Sequence, residues 1–73
     1  MNEPSRYSMI IEWSDEDQAY IVSLPEWGKY AHTHGQSYEE ALRNGKEVLE
    51  LLIESARAEH EPLPAPRVFA HAS

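Results

Sequence analysis

The sequence of 73 residues contains no cysteine, only three scattered glycines and no long apolar segment. Without cysteine, no disulfide can stabilise the fold. A chain this short buries only about 60% of the surface that its unfolded form exposes, so we expect self-association, as a dimer or tetramer, to add stability. The first apolar run, residues 9–11, is too short for a signal peptide or a membrane span. We therefore expect a cytoplasmic protein that does not enter a membrane.

Basic residues are also few. Six lysines and arginines stand against thirteen aspartates and glutamates, which gives a formal net charge of −7. A negative field repels phosphate backbones, so we expect no direct binding to nucleic acid. The same field favours an encounter with a basic protein, although solubility alone is the more common reason for surface carboxylates.

The first half of the chain has the pattern of a small antiparallel sheet. Large apolar residues alternate with polar ones over residues 7–13, and β-forming residues fill 18–24. The acidic cluster at residues 15–17 separates the two segments, which together predict a β-hairpin. Pro25 ends the second strand, and a third short strand is predicted at residues 29–33. Gly35 is then expected to turn the chain in a positive-φ conformation.

A long helix should follow. Ser37 and Glu40 have the spacing of a capping box, in which the Ser37 hydroxyl accepts from the Glu40 amide and the Glu40 carboxylate accepts from the Ser37 amide. Apolar residues then recur every three or four positions as far as Ala58. Gly45 lies on this apolar stripe and predicts a close approach of the helix to a strand.

The C-terminal segment is rich in proline. Residues 62–66 cannot be helical, and residues 67–70 can form only a short last strand or a loose tail, which would lie beside the first strand. We predict one α+β domain over residues 1–73, with an ordered core at about 6–66 and a tail at 67–73. Its element order is β-β-β-α-β, with a three-stranded antiparallel sheet, one long helix on one face and a short fourth strand.

No set of residues predicts catalysis. The carboxylates cluster in one turn and at the helix start, where solvation and capping explain them. His32 and His34 would point to the same side of a strand, which is compatible with a metal ion, but further ligands are missing. His60 and His71 fall in irregular segments. We predict no enzyme, no metal site and no cofactor.

Three groups of residues are candidates for contacts with other molecules. Trp13 continues the apolar face of the first strand and is assigned to the core, whereas Trp27 lies outside a strand and can anchor a partner. The residues predicted to contact a partner are Asp15, Glu16, Asp17, Glu26 and Trp27. The residues predicted to form contacts between copies of the chain are Ile10, Ile21 and Leu51, because each lies off the predicted core face.

The order and spacing of these segments resemble the HicB-like antitoxin family over most of residues 7–66. The matching segments are Tyr7 with IIEW at 10–13, the acidic turn at 15–17, AYIVSLP at 19–25, HGQSYEEAL at 34–42 and PLPAP at 62–66. The chain differs from the family pattern at residues 27–30. Only seven residues follow Pro66, so we expect no DNA-binding module in this chain.

The resemblance implies a partly degraded ribonuclease-H-like fold, self-association and, for many members, masking of a small basic ribonuclease toxin of the HicA type. The leading functional prediction is therefore an antitoxin-like protein that neutralises a HicA-type messenger-RNA-cleaving toxin. The alternative is a stand-alone homo-oligomeric HicB-like module that has no toxin partner.

Overall fold

The computed structural model describes residues 6–69 of the chain. Within this range the elements are β1 (Ile10–Ser14), β2 (Ala19–Ser23), a 3₁₀ helix (Pro25–Trp27), β3 (His32–Gly35) and α1 (Tyr38–Ala58). The strands form one antiparallel sheet in the order β1-β2-β3. The predicted α+β fold is confirmed. Predictions at residues 1–5 and 70–73, which include His71 and the end of the tail, lie outside the described residues.

The hairpin of β1 and β2 follows the alternation of the sequence. Its register pairs Ile11 with Val22 and Trp13 with Tyr20, so these side chains share the face towards α1. The connecting turn occupies residues 15–18 and ends at Gln18, whose φ of 52° closes it. The Gln18 side chain stabilises this left-handed conformation, because its Nε2 donates to the Asp15 carbonyl oxygen at 2.6 Å.

The third strand lies later in the chain than the pattern predicts. Residues 29–33 were expected, but β3 runs over His32–Gly35 because the 3₁₀ helix and Gly28, at φ 96°, lengthen the turn. The Leu24 amide donates to the Ala31 carbonyl at 2.9 Å and closes this longer loop. The positive φ expected at Gly35 is also wrong; among the described glycines it occurs at Gly28.

Helix α1 begins where the capping pattern predicts. Ser37 is the N-cap, and its Oγ accepts from the Glu40 amide at 3.0 Å. The reciprocal bond differs by one residue, since the Glu40 carboxylate accepts from the Gln36 amide instead of the Ser37 amide. Ser37 itself has the extended backbone angles that are usual for an N-cap residue.

The end of α1 is a Schellman motif. His60 has a left-handed φ of 59° and donates its amide to the Arg57 carbonyl at 3.1 Å, while the Glu61 amide donates to the Ala56 carbonyl at 2.8 Å. These bonds satisfy carbonyls that the helix end leaves free, and Pro62 follows, where helix cannot continue.

The core lies between α1 and the sheet. Its largest fully buried side chains are Val22, Leu24 and Leu49. Gly45 is buried as expected, and a Cβ there would lie 3.0 Å from both the Met9 Sδ and the Val22 Cγ1. The absence of a side chain therefore lets α1 approach the sheet closely. The helix packs mainly on β3 and β2 and reaches β1 little, which leaves part of β1 uncovered.

The C-terminal segment is extended but is not a strand. Residues 61–69 contain no sheet bridge, so the predicted fourth strand is wrong over the described part of the tail. The segment does return to the start of β1, because the Tyr7 hydroxyl donates to the Pro64 carbonyl at 2.8 Å. Proline has no backbone N–H to donate to a neighbouring strand, so this segment cannot form regular sheet hydrogen bonds. Side-chain hydrogen bonds hold it in place instead.

Replacing Ser37 with alanine should lower the free energy of unfolding by about 1 kcal/mol, because the Glu40 amide loses its acceptor. Chemical denaturation of the purified variant measures this. Ser55→Ala is the matched control, since Ser55 is exposed within the same helix and alanine is the better helix former. Equal midpoints for the two variants would contradict a capping role for Ser37.

Candidate interaction surface

The acidic turn between β1 and β2 is exposed and internally ordered. Asp15, Glu16 and Asp17 are all exposed. The Ser14 hydroxyl donates to the Asp17 Oδ2 at 3.0 Å, and the Asp17 amide donates back to the Ser14 Oγ at 3.2 Å. Such Asp and Ser side-chain bonds are typical of tight turns. The turn therefore presents three exposed carboxylates, of which Asp15 and Asp17 are held in place by hydrogen bonds.

The two tryptophans have environments opposite to those predicted. Trp13 was assigned to the core, but 49% of it is exposed, and its indole Nε1 donates to the Asp15 Oδ1 at 2.7 Å. Trp27 is half-buried against the core, with its ring centroid 5.3 Å from that of Tyr7. The Trp27 indole N–H is buried without a hydrogen-bond partner among residues 6–69. Trp13 is thus the tryptophan that stands beside the acidic turn.

Glu26 has a structural role that the sequence analysis missed. Its Oε2 accepts from the Ser8 amide at 3.0 Å and from the Arg67 amide at 2.8 Å. Partial burial by itself raises the pKa of Glu26, but the backbone N–H donors of Arg67 and Ser8 together outweigh it and lower the pKa below its ordinary value. Because this carboxylate is engaged inside the fold, a contact of Glu26 or Trp27 with a partner stays a prediction and is not used below.

No local pattern could have identified Glu26. Its two donors lie 18 and 41 positions away in the sequence, so no short spacing signals the contact. A glutamate directly after a strand-ending proline is only weakly informative by itself. The contact appears when the tail folds back on the segment that precedes β1.

The outer face of the sheet, on the side away from α1, combines apolar residues with the two histidines. Ile10 and Ile21 both lie on this face, as predicted, and Ile10 is the more exposed. His32 and His34 share the face because β3 pairs Ser23 with His32 and Ile21 with His34. A shallow depression at one end brings the acidic turn and this face together; it is lined by Asp17, Ala19, Ile21, His34 and Gln36.

Leu51 lies on the solvent side of α1. It is 64% exposed and therefore takes no part in the core, as its position off the apolar stripe predicts. Glu47, Glu50 and Glu54 are exposed on the same side of the helix. The leucine is therefore surrounded by charge, whereas Ile10 and Ile21 lie on the same open face of the sheet.

Among residues 6–69, no group of three or more His, Asp or Glu side chains could hold a metal ion. No helix in this part of the chain has the length and apolar character needed to cross a membrane. The features of the described surface are thus the acidic turn, the exposed aromatic side chains and the outer sheet face.

Comparison with known proteins gives two curated relatives. The chain is 40% identical over 58 residues to a UPF0150 protein of Synechocystis sp., an alignment that covers 80% of this chain and 71% of the relative. It is 44% identical over 50 residues to a UPF0150 protein of Thermotoga maritima, covering 68% of this chain and 65% of the relative. No family model and no solved structure matches the sequence. The identity and coverage of the first alignment show that the chain belongs to the UPF0150 family.

Proposed function

We propose that this chain is a HicB-like antitoxin that binds a small basic toxin of the HicA type in the cytoplasm and masks its messenger-RNA-cleaving site. The observation that carries the proposal is the ordered, exposed acidic turn with the Trp13 indole held against it. Carboxylates at fixed positions attract a cationic surface, and an exposed indole supplies the apolar contact that charge alone lacks. The net charge of −7 has the same sign as the turn.

The order of the elements supports the HicB-like reading. The resemblance implies a three-stranded antiparallel meander, one long helix and a short fourth strand, and the described residues have all of these except the fourth strand. The ribonuclease-H-like origin of the fold is part of the same proposal. The relatives' names state no activity and no partner, so the function depends on the surface and on the resemblance.

Co-purification with the product of the neighbouring gene, followed by an RNA-cleavage assay, tests the proposal. We expect that gene to encode a small basic protein whose RNA cleavage is suppressed by this chain in molar excess. Association should slow as salt is raised, because exposed charges act mainly on the rate of encounter. A neighbour that is not a basic RNA-cleaving protein, or that cleaves equally well with excess chain present, would show the proposal to be wrong.

Two variants that each lose three negative charges show whether the acidic turn or the net charge speeds association with the toxin. Asp15→Asn, Glu16→Gln and Asp17→Asn together remove three negative charges from the turn, and Glu47→Gln, Glu50→Gln and Glu54→Gln remove three from the helix. The turn variant should associate about tenfold more slowly than the helix variant at low salt, since only its charges face the partner. Equal rates would show that net charge, and not the turn, attracts the toxin.

The second candidate function is a homo-oligomeric HicB-like module without a toxin. It is favoured by Ile10 and Ile21 on the open sheet face and by the exposed Leu51. Light scattering on the purified chain, with Ile21→Ser beside it, separates the cases. An oligomer that the substitution dissociates, together with no neighbouring toxin, would support this second function.

A further inference from the structure

Three aromatic side chains form a continuous surface at one corner of the molecule. Trp13 on β1 and Tyr20 on β2 are paired across the hairpin, with ring centroids 5.1 Å apart in an edge-to-face arrangement. Tyr20 in turn packs on Tyr38, the first residue of α1, at 4.4 Å between centroids. Trp13, Tyr20 and Tyr38 are named here the aromatic corner. Its rings link both strands of the hairpin to the start of the helix.

The aromatic corner is exposed because of the path of α1. The helix begins beside Gly35 on β3 and has reached Met9, just before β1, by Gly45. It therefore crosses the sheet obliquely and leaves the end of β1 that carries Trp13 uncovered. Trp13 is 49% exposed and Tyr38 61% exposed. Contiguous exposed aromatic surface of this kind marks a contact with another molecule more often than it marks a core.

The charged residues closest in sequence to the aromatic corner are of one sign. Every formally charged residue within four positions of Trp13, Tyr20 or Tyr38 is an aspartate or glutamate. Asp15 is the nearest in space, because its Oδ1 accepts from the Trp13 indole at 2.7 Å and fixes the ring beside the carboxylate. Aromatic faces flanked by carboxylates match a ligand that is both flat and positively charged.

We infer that the aromatic corner binds an arginine side chain of a basic protein partner, stacking the guanidinium on Trp13 and pairing it with Asp15. Arginine fits both parts, because its planar group stacks on aromatic rings and bonds carboxylates through two N–H donors. Lysine carries the same charge as a compact, strongly hydrated ammonium and fits less well. This inference rests on the proposed function, since it names the side chain by which the basic toxin is recognised.

Binding of fluorescein-labelled oligo-arginine and oligo-lysine peptides of equal length tests the inference without the toxin. A surface that offered only negative charge would bind both peptides about equally. We expect the arginine peptide to bind about fivefold to tenfold more tightly to the full chain, and Trp13→Ala to remove that preference. Equal affinity of the two peptides for the wild-type chain would overturn the inference.

Further variants separate binding from folding. Tyr38→Ala should also reduce the arginine preference, and it places a good helix former at the start of α1. Tyr30→Ala is the matched control, because Tyr30 is 83% exposed but lies outside the aromatic corner. Circular dichroism shows whether each variant is folded. If folded Tyr38→Ala and Trp13→Ala variants keep the wild-type preference, the inference is wrong.

The toxin assay distinguishes failure of this inference from failure of the proposed function. If Trp13→Ala and wild-type chains suppress the toxin equally, the aromatic corner is not the contact, although the antitoxin function stands. If the arginine preference depends on Trp13 but no toxin is suppressed, arginine binding at the aromatic corner is supported and the proposed antitoxin function is wrong. Dissociation of an oligomer by Trp13→Ala in light scattering would assign the corner to a second copy and overturn the inference.

Discussion

Gly35→Ala is expected to lower the free energy of unfolding by about 3 kcal/mol or more, a large share of what a domain of this size possesses. A Cβ at this position would lie 2.7 Å from the Ala41 Cα and 2.9 Å from the Glu40 carbonyl carbon. These are backbone atoms of the first helical turn, which the bond from the Ala41 amide to the Ser37 carbonyl holds in place. The clash can be relieved only by moving the start of α1 away from β3.

The other two glycines provide internal controls for this effect. Gly28→Ala meets nothing within 4 Å but strains a residue at φ 96° and ψ 169°, a region almost confined to glycine, so its cost should be about 1–3 kcal/mol. Gly45→Ala places its Cβ 3.0 Å from both the Met9 Sδ and the Cγ1 of the buried Val22; the Met9 side chain is flexible, and the better helix propensity of alanine offsets part of the crowding. Urea denaturation should rank Gly35→Ala as the most destabilising of the three, because only its Cβ would lie closer than 3.0 Å to backbone atoms. A Gly35→Ala midpoint no lower than that of Gly28→Ala would contradict the steric argument.

The reason that Gly35 is essential differs from the reason that the sequence suggested. A glycine before a helix cap is usually interpreted as a positive-φ turn residue, but Gly35 ends β3 without positive φ. Glycine is expected to be needed here because the end of β3 lies so close to the first turn of α1 that a Cβ has no room. Distance between elements is a tertiary property, and the local pattern carries no information about it.

Local signals predicted most of the fold for a physical reason. The hairpin alternation, the Ser37 cap and the helical stripe ending at Ala58 depend on neighbours within a few residues, and the structure confirms them. The predicted limits of β3 were wrong because the 3₁₀ helix that begins at Pro25 makes the turn longer than expected, so the strand begins later in the sequence. Local preferences do not determine the length of such a turn.

The candidate surface was less predictable than the fold. The sequence predicted the exposed acidic turn correctly. It wrongly placed Trp13 in the core and Trp27 outside it. Both are aromatic residues near a strand end, and the oblique path of α1 decides which of them is covered. Strand periodicity places Trp13 on the correct face but cannot show that the helix fails to reach it.

Glu26→Ala is expected to loosen the C-terminal segment at Arg67 from the residues before β1, while the bond between the Tyr7 hydroxyl and the Pro64 carbonyl remains. The substitution leaves the Ser8 and Arg67 amides without their charged acceptor, and hydrogen bonds to a charged group contribute about 1.5–3 kcal/mol each. Because Glu26 is only half-buried and water can replace it as the acceptor, we expect a loss of about 2 kcal/mol in the stability of this contact, less than the sum for two buried bonds. Amide hydrogen exchange measured by NMR should show the Ser8 and Arg67 amides exchanging much faster, while amides of α1 change little.

The contact should also depend on pH with a defined sign. Because the pKa of Glu26 is lowered in the folded chain, the unfolded chain binds more protons in the interval between the two pKa values. The stabilisation is thus fully present above the ordinary glutamate pKa of about 4.3 and is lost as pH falls through the lowered value. The amide shifts of Ser8 and Arg67 should follow this titration, since both amides donate to the carboxylate.

Glu26→Gln separates the charge from the shape of this contact. The glutamine keeps one oxygen acceptor but carries no charge and does not titrate, so the two amides should be partly protected at all pH values and show no acid transition. Glu54→Ala, at an exposed helix position, controls for the loss of a glutamate elsewhere. If the Ser8 and Arg67 amide shifts in the wild-type chain are flat through the acid range, or titrate above the ordinary glutamate pKa, then Glu26 does not hold the tail.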